Sequence, residues 1–174
     1  RKSDSLLAEV EQPLHLPCDV AGAHEAFANE DRLAAGGVDA ARFAIALAQR
    51  RPDVVATVGI HPHEASSFSP ELLSVFAELS ADPRVVAVGE IGLDYHYDHS
   101  PRDVQREVFR QMIGFARERR LPIVVHTREA AADTLELLER EGANDVGGVI
   151  HCFSEDRAFA QKALDLGFDL SFSG

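Results

Sequence analysis

The stretch Val85-Val86-Ala87-Val88-Gly89-Glu90-Ile91-Gly92-Leu93-Asp94-Tyr95 decides the fold. Its first half, Val85–Gly89, is an unbroken apolar run rich in β-branched residues, as expected of a parallel strand covered on both faces, and it ends at a carboxylate. Four more runs of the same kind surround it: Val54–Gly59 before, and Pro122–His126, Gly148–His151 and Phe168–Phe172 after. The segments between them read as amphipathic helices. Ser69-Pro70 sets an N-cap and an N1 proline ahead of Leu72, Val75, Phe76 and Leu79, which share one helical face. Ser100-Pro101 does the same ahead of Val104, Val108, Met112 and Phe115. Further helices are predicted over Ala40–Arg50, over Glu129–Glu141 with Gly142 as the stop, and over Glu155–Leu166 with Gly167 as the cap. Strand and helix alternating at this interval predict an α/β fold on a parallel sheet, either doubly wound or a barrel.

With 174 residues, 45% of them hydrophobic, the chain is expected to form one domain. A complete (β/α)8 barrel takes about 250 residues and about 200 at the leanest, so only part of one is expected. Residues 1–36 show little periodicity and no β-branched run followed by a helix, which predicts an irregular N-terminal segment ahead of a domain over 37–174. The formal net charge of −12 argues against a protein that grips nucleic acid by counterion release over a basic face. A phosphate substrate would have to be drawn in by bound cations and a few local arginines. Cys18 and Cys152 lack any paired spacing, so a reducing, cytoplasmic setting is expected. Secretion and membrane insertion are not, because no apolar stretch approaches the roughly 20 residues that span a bilayer.

The runs end on ionisable residues. Val54–Gly59 leads into His61-Pro62-His63, Val85–Gly89 into Glu90, Pro122–Val125 into His126, and Gly148–Ile150 into His151. In a parallel barrel the C-terminal strand ends converge on the face where loops build the active site. Any one of these histidines reads more readily as a partly buried structural residue. Four strand ends in succession offering imidazole or carboxylate point instead to a divalent-metal site, since neutral histidine and carboxylates are its usual ligands.

These stretches also carry a resemblance. Val86–Tyr95 resembles the strand motif that supplies the bridging metal carboxylate in the TatD family of metal-dependent deoxyribonucleases. Pro122-Ile123-Val124-Val125-His126-Thr127-Arg128-Glu129 and Gly148-Val149-Ile150-His151-Cys152-Phe153-Ser154 resemble that family's two single-histidine strands. Val58-Gly59-Ile60-His61-Pro62-His63-Glu64-Ala65 is similar to a fourth signature, near the substrate. The resemblance covers about Gly37–Gly174 and implies a partial (β/α)8 TIM-type barrel and a divalent-metal-dependent DNA phosphodiesterase. It implies Mg2+, Mn2+ or Zn2+ as cofactor, two ions in the complete family site, and DNA as partner. By residue, it implies Glu90 as catalytic and shared metal ligand, with His126 and His151 as further ligands of one ion.

His63 and Arg128 are expected at the substrate; Arg128 offers a bidentate fork to a phosphate or is a surface arginine. The role of His61 stays open. Asp94 either caps the following loop or orients a histidine ligand. His96 and His99 either stack on a base or belong to a solvated loop, and Cys152 is expected to be a small buried side chain.

The family's first strand, with His-x-His, and its later Thr-Asp-Ser-Pro strand find no match, only the isolated His15 and His24. A two-metal mechanism needs two complete ligand sets. The chain is therefore expected to be a fragment, a start-site variant or a degenerate relative, with one weakly held ion and nuclease activity far below that of a complete member. An amide, ester or lactone hydrolase of the same barrel superfamily, and an inactive fragment that acts only in association, are the competing functions.

Overall fold

A computed structural model describes residues 37–172; the expected irregular segment over 1–36, with His15, Cys18 and His24, lies outside them. The elements follow the predicted alternation: α1 (Val38–Arg50), β1 (Ala56–Val58), α2 (Glu71–Leu79), β2 (Val85–Asp94), α3 (Arg102–Arg119), β3 (Ile123–Arg128), α4 (Ala131–Arg140), β4 (Gly148–Ile150), α5 (Arg157–Asp165) and β5 (Phe168–Leu170). Short 3-10 turns cover Pro62–Ser67 and Ala143–Asp145.

All pairings are parallel and the strand order is β1-β2-β3-β4-β5. A doubly wound sheet reverses its direction of growth at a switch point. Here every strand is added on the far side of the one before it, which is how a (β/α)8 barrel is built, so the described residues form a five-strand part of such a barrel.

The core lies between sheet and helices, with Val58, Ile91, Leu93, Ile123, Val125 and Ile150 from the strands against Phe76, Phe109, Met112 and Leu137 from the helices. In β3, Ile123, Val125 and Thr127 are buried, and the Thr127 hydroxyl pairs with that of Thr134 on α4 at 3.0 Å. By the two-residue period, Val124, His126 and Arg128 project from the other face, toward the barrel interior.

Sequence and structure differ most in β2. The apolar run ends at Gly89, but the strand continues to Asp94, and its register on β3 slips between Val88 and Ile91. Glu90 therefore sits within an irregular strand and not at its end. Two glycines permit this. A Cβ on Gly89 would come 2.6 Å from the Val124 Cβ, and Gly92, at φ +143°, lies so close to β3 that a Cβ would strike the His126 carbonyl oxygen. The irregularity brings the two backbones together where Glu90 and His126 stand, as bulges beside active sites do.

Two helix starts also differ. Pro70 and Pro101 occupy the N-cap positions of α2 and α3, with no side-chain cap. The Ser100 hydroxyl is used elsewhere: it accepts from Ser66 N at 3.0 Å and donates to His63 O at 2.9 Å, fastening the 62–67 turn to the start of α3. Among the described residues no helix is long and apolar enough to cross a membrane.

Candidate metal centre

Three side chains converge at the C-terminal mouth of β1–β3. His61, Glu90 and His126 each offer one ligand atom, and these atoms all lie within 4.8 Å of one another. Glu90 Oε1 is 3.1 Å from His126 Nδ1. His61 precedes the 3-10 turn, where Pro62 presets the first helical dihedral, and its Nδ1 accepts from His63 N at 3.2 Å. Its ring meets the His126 ring edge-on at 4.7 Å.

Electrostatics separate the two imidazoles. Burial pushes His61 down to about 4, against a weaker upward pull from Glu90, so the ring is neutral at physiological pH. For His126 burial acts downward too, but the carboxylates of Glu90 and Asp94 outweigh it and its pKa is raised. Burial alone would raise Glu90; the His126 hydrogen bond and the surrounding imidazoles reverse this and hold it below its ordinary value. An ionised carboxylate beside two imidazoles, all half-buried, is a donor set that fits a divalent cation.

His151 is not in this group. It lies beside His126, since Val125 pairs with Ile150, and its backbone N donates to Val125 O at 2.8 Å. Its ring nitrogens face Cys152 Sγ at 3.1 Å and Ser171 Oγ at 3.3 Å. His126 and His151 still open into one hollow of about 290 Å3, lined also by Thr127, Arg128, Cys152 and Ser154. Cys152 is exposed, not buried as expected, because β4 stops at Ile150 and the chain turns there through a positive φ of 48°.

His63 Nε2 lies 2.9 Å from Asp94 Oδ2, and the His63 ring contacts those of His61 at 4.4 Å and His99 at 4.6 Å. The exposed Arg128 guanidinium sits 5.0 Å over the Tyr97 ring. His96 is half-exposed and 2.7 Å from Glu129.

Asp94 contacts both the loop that follows it and two imidazoles. It is fully buried; Oδ1 accepts from His96 N at 3.0 Å and Tyr97 N at 2.9 Å, while Oδ2 faces His63 and His126. Burial alone would raise its carboxyl, yet the Tyr97 amide and the His63 and His126 rings bring it to about 2. Gln105, buried on α3, clamps it from behind: its Oε1 accepts from Asp94 N at 2.8 Å, and its Nε2 donates to Asp94 O at 3.0 Å and Ser100 O at 2.8 Å. Sequence reading misses Gln105, although an uncharged polar residue three places before Val108 and seven before Met112 on the apolar face of a helix is a usable sign of a buried clamp.

The sequence pattern of the TatD related DNase family matches residues 24–174. The chain belongs to this family. It is 46% identical to the uncharacterized metal-dependent hydrolase YabD of Bacillus subtilis over 121 residues, which is 70% of this chain and 48% of that one. It is 36% identical over 129 residues to the 3'-5' ssDNA/RNA exonuclease TatD of a Rahnella species, covering 74% and 49% of the two chains. The crystal structure of a TatD homologue from Escherichia coli superposes with a TM-score of 0.71 at 28% identity, over 78% of this chain and 53% of that chain. The chain thus spans about half the length of these relatives.

Proposed function

We propose that the chain carries the metal-binding half of a phosphodiesterase site that hydrolyses DNA. The observation behind it is the group of His61, Glu90 and His126, with one donor atom each within 4.8 Å, at the end of the sheet where barrel enzymes do their chemistry. His126, Glu90 and His61 would hold one divalent ion, with His151 reaching it from the neighbouring strand; Mg2+, Mn2+ and Zn2+ are the candidates. Such an ion supplies Lewis acidity and lowers the pKa of a water molecule it binds.

The chain's own residues do the rest. Glu90 brings negative charge to a half-buried site and is kept ionised by the imidazoles around it. Arg128, exposed beside the same hollow, presents a planar fork that matches a phosphate, and His63 lies on the other flank of His126. On a chain of net charge −12, the Arg128 guanidinium and a bound metal ion are the local cations that would admit a polyanion. The Rahnella relative's description as an ssDNA/RNA exonuclease supports single strands as the substrate.

The test is release of nucleotides from single-stranded DNA with Mg2+, Mn2+ or Zn2+ supplied in turn, beside small amide, ester and lactone substrates. Metal-dependent release that Glu90→Ala abolishes is expected. Nuclease activity that survives Glu90→Ala, or hydrolysis confined to the small substrates, contradicts the reading.

A further inference from the structure

Asp94 stands behind the metal centre and touches two of its imidazoles with a single oxygen. Oδ2 lies 2.9 Å from His63 Nε2 and 3.0 Å from His126 Nε2, while Oδ1 is taken by the backbone amides of His96 and Tyr97. The carboxylate is fully buried, and Gln105 pins its backbone on both sides. Neither the loop nor the carboxylate can move without breaking several buried hydrogen bonds.

An ionised carboxylate only accepts hydrogen bonds, so each ring must present Nε2–H to it. For His126 this has a chemical consequence. A neutral imidazole that keeps its proton on Nε2 has its lone pair on Nδ1, the nitrogen that faces Glu90 at 3.1 Å.

We infer that Asp94 is a positioning residue that sets the tautomer and ring orientation of His126, so that Nδ1 is its metal-binding nitrogen, and that it yokes His63 to the same register. The inference rests on the metal centre proposed above. Carboxylate partners behind ligand histidines act in this way generally, and their loss costs about 10–100-fold in metal affinity.

Asp94→Asn separates the two halves of the role. The amide oxygen still accepts from the His96 and Tyr97 amides, so the loop is kept. The amide NH2 now faces the two rings and donates, which forces His126 to accept at Nε2 and to carry its proton on Nδ1. The nitrogen beside Glu90 is then blocked, as when an asparagine behind a catalytic histidine imposes the wrong tautomer.

The experiment is Zn2+ titration of the full chain and of Asp94→Asn by calorimetry, with 15N NMR of the histidine rings and of the His96 and Tyr97 amides. In the Zn2+-loaded wild type, His126 is expected to show a protonated Nε2 and a ligated Nδ1. Asp94→Asn is expected to bind Zn2+ about 10–100-fold more weakly with the two loop amide resonances unmoved, a pattern a merely structural role would not give. Unchanged Zn2+ affinity in Asp94→Asn, or a wild-type spectrum with His126 ligated through Nε2, overturns the inference and leaves the metal centre standing. Failure of the wild type to take up Zn2+ overturns the metal centre and this inference with it. If Asp94→Asn does not fold, the wild-type spectrum decides alone.

Discussion

His61 shows how little a residue's identity says about its chemistry. In an unfolded chain its imidazole titrates near 6.5, whereas burial in the site brings it to about 4. Both states are neutral above pH 6.5. As pH falls from there toward 4, the unfolded chain takes up a proton that the folded ring refuses, so this residue subtracts stability in that window. In the metal-free protein, its ring resonances are expected to titrate with a midpoint near 4, and a midpoint at or above 6.5 would show that burial does not control it. His126, raised by its two carboxylates, acts with the opposite sign. The two rings also differ as ligands. His61 Nδ1 is engaged by the His63 amide, so that ring must give up its cap or its remaining proton to bind an ion. His126→Ala is therefore expected to weaken Zn2+ binding more than His61→Ala, and calorimetry on the two variants checks the order.

Among the elements, β2 carries the most, because it delivers Glu90 and Asp94 from one continuous strand. Its close approach to β3 depends on Gly92 having no side chain and tolerating φ +143°. Gly92→Ala forces the strands apart at His126 and is expected to cost about 3 kcal/mol in urea unfolding, together with Zn2+ affinity. A variant of wild-type stability would mean the strands part at no cost. The junction of the 62–67 turn with α3 depends on one hydroxyl. Ser100→Ala leaves the Ser66 amide without its acceptor, for an expected loss of about 1 kcal/mol, and frees the turn that sets His61 and His63. Its readout is thermal unfolding alongside Zn2+ affinity; unchanged values in both would place the anchorage elsewhere.

Over the whole molecule, the site joins pieces far apart in the chain: His61 after β1, Glu90 in β2 and His126 in β3. An ion held by these three residues would find no such site in the unfolded chain, so binding and folding would be linked. With Zn2+ at 100 times its dissociation constant, stability is expected to rise by about 2.7 kcal/mol, seen as a higher melting temperature that a chelator reverses. Glu90→Ala should abolish the rise. An equal rise in that variant would place the bound metal somewhere other than among these strands.

The sequence by itself determined the α/β alternation, the five strands and the ionisable residues that close four of the apolar runs. Those are period and composition, carried by local runs such as Val85–Gly89 and by Pro70 and Pro101, which mark the starts of α2 and α3. Family membership was equally legible, in short motifs kept in order. That the sheet is a barrel segment followed from those motifs and not from the alternation itself, because strand order is a matter of which edges meet, and the sequential pairing bears it out. Nor was it legible which side chains stand within reach of one another. His151 closes an apolar run in the sequence as His126 does, yet His126 lies within β3 while β4 stops at Ile150 and the His151 ring nitrogens face Cys152 and Ser171; His61 comes in from a turn to stand beside Glu90. Asp94 was legible as a loop cap or a histidine's partner, and the fold makes it both: a ten-residue strand with a slipped register buries its carboxylate between a loop's amides and two imidazoles that approach from β3 and the turn after β1. Local sequence sets what each segment can be, and the packing of β2 against β3 sets which side chains meet.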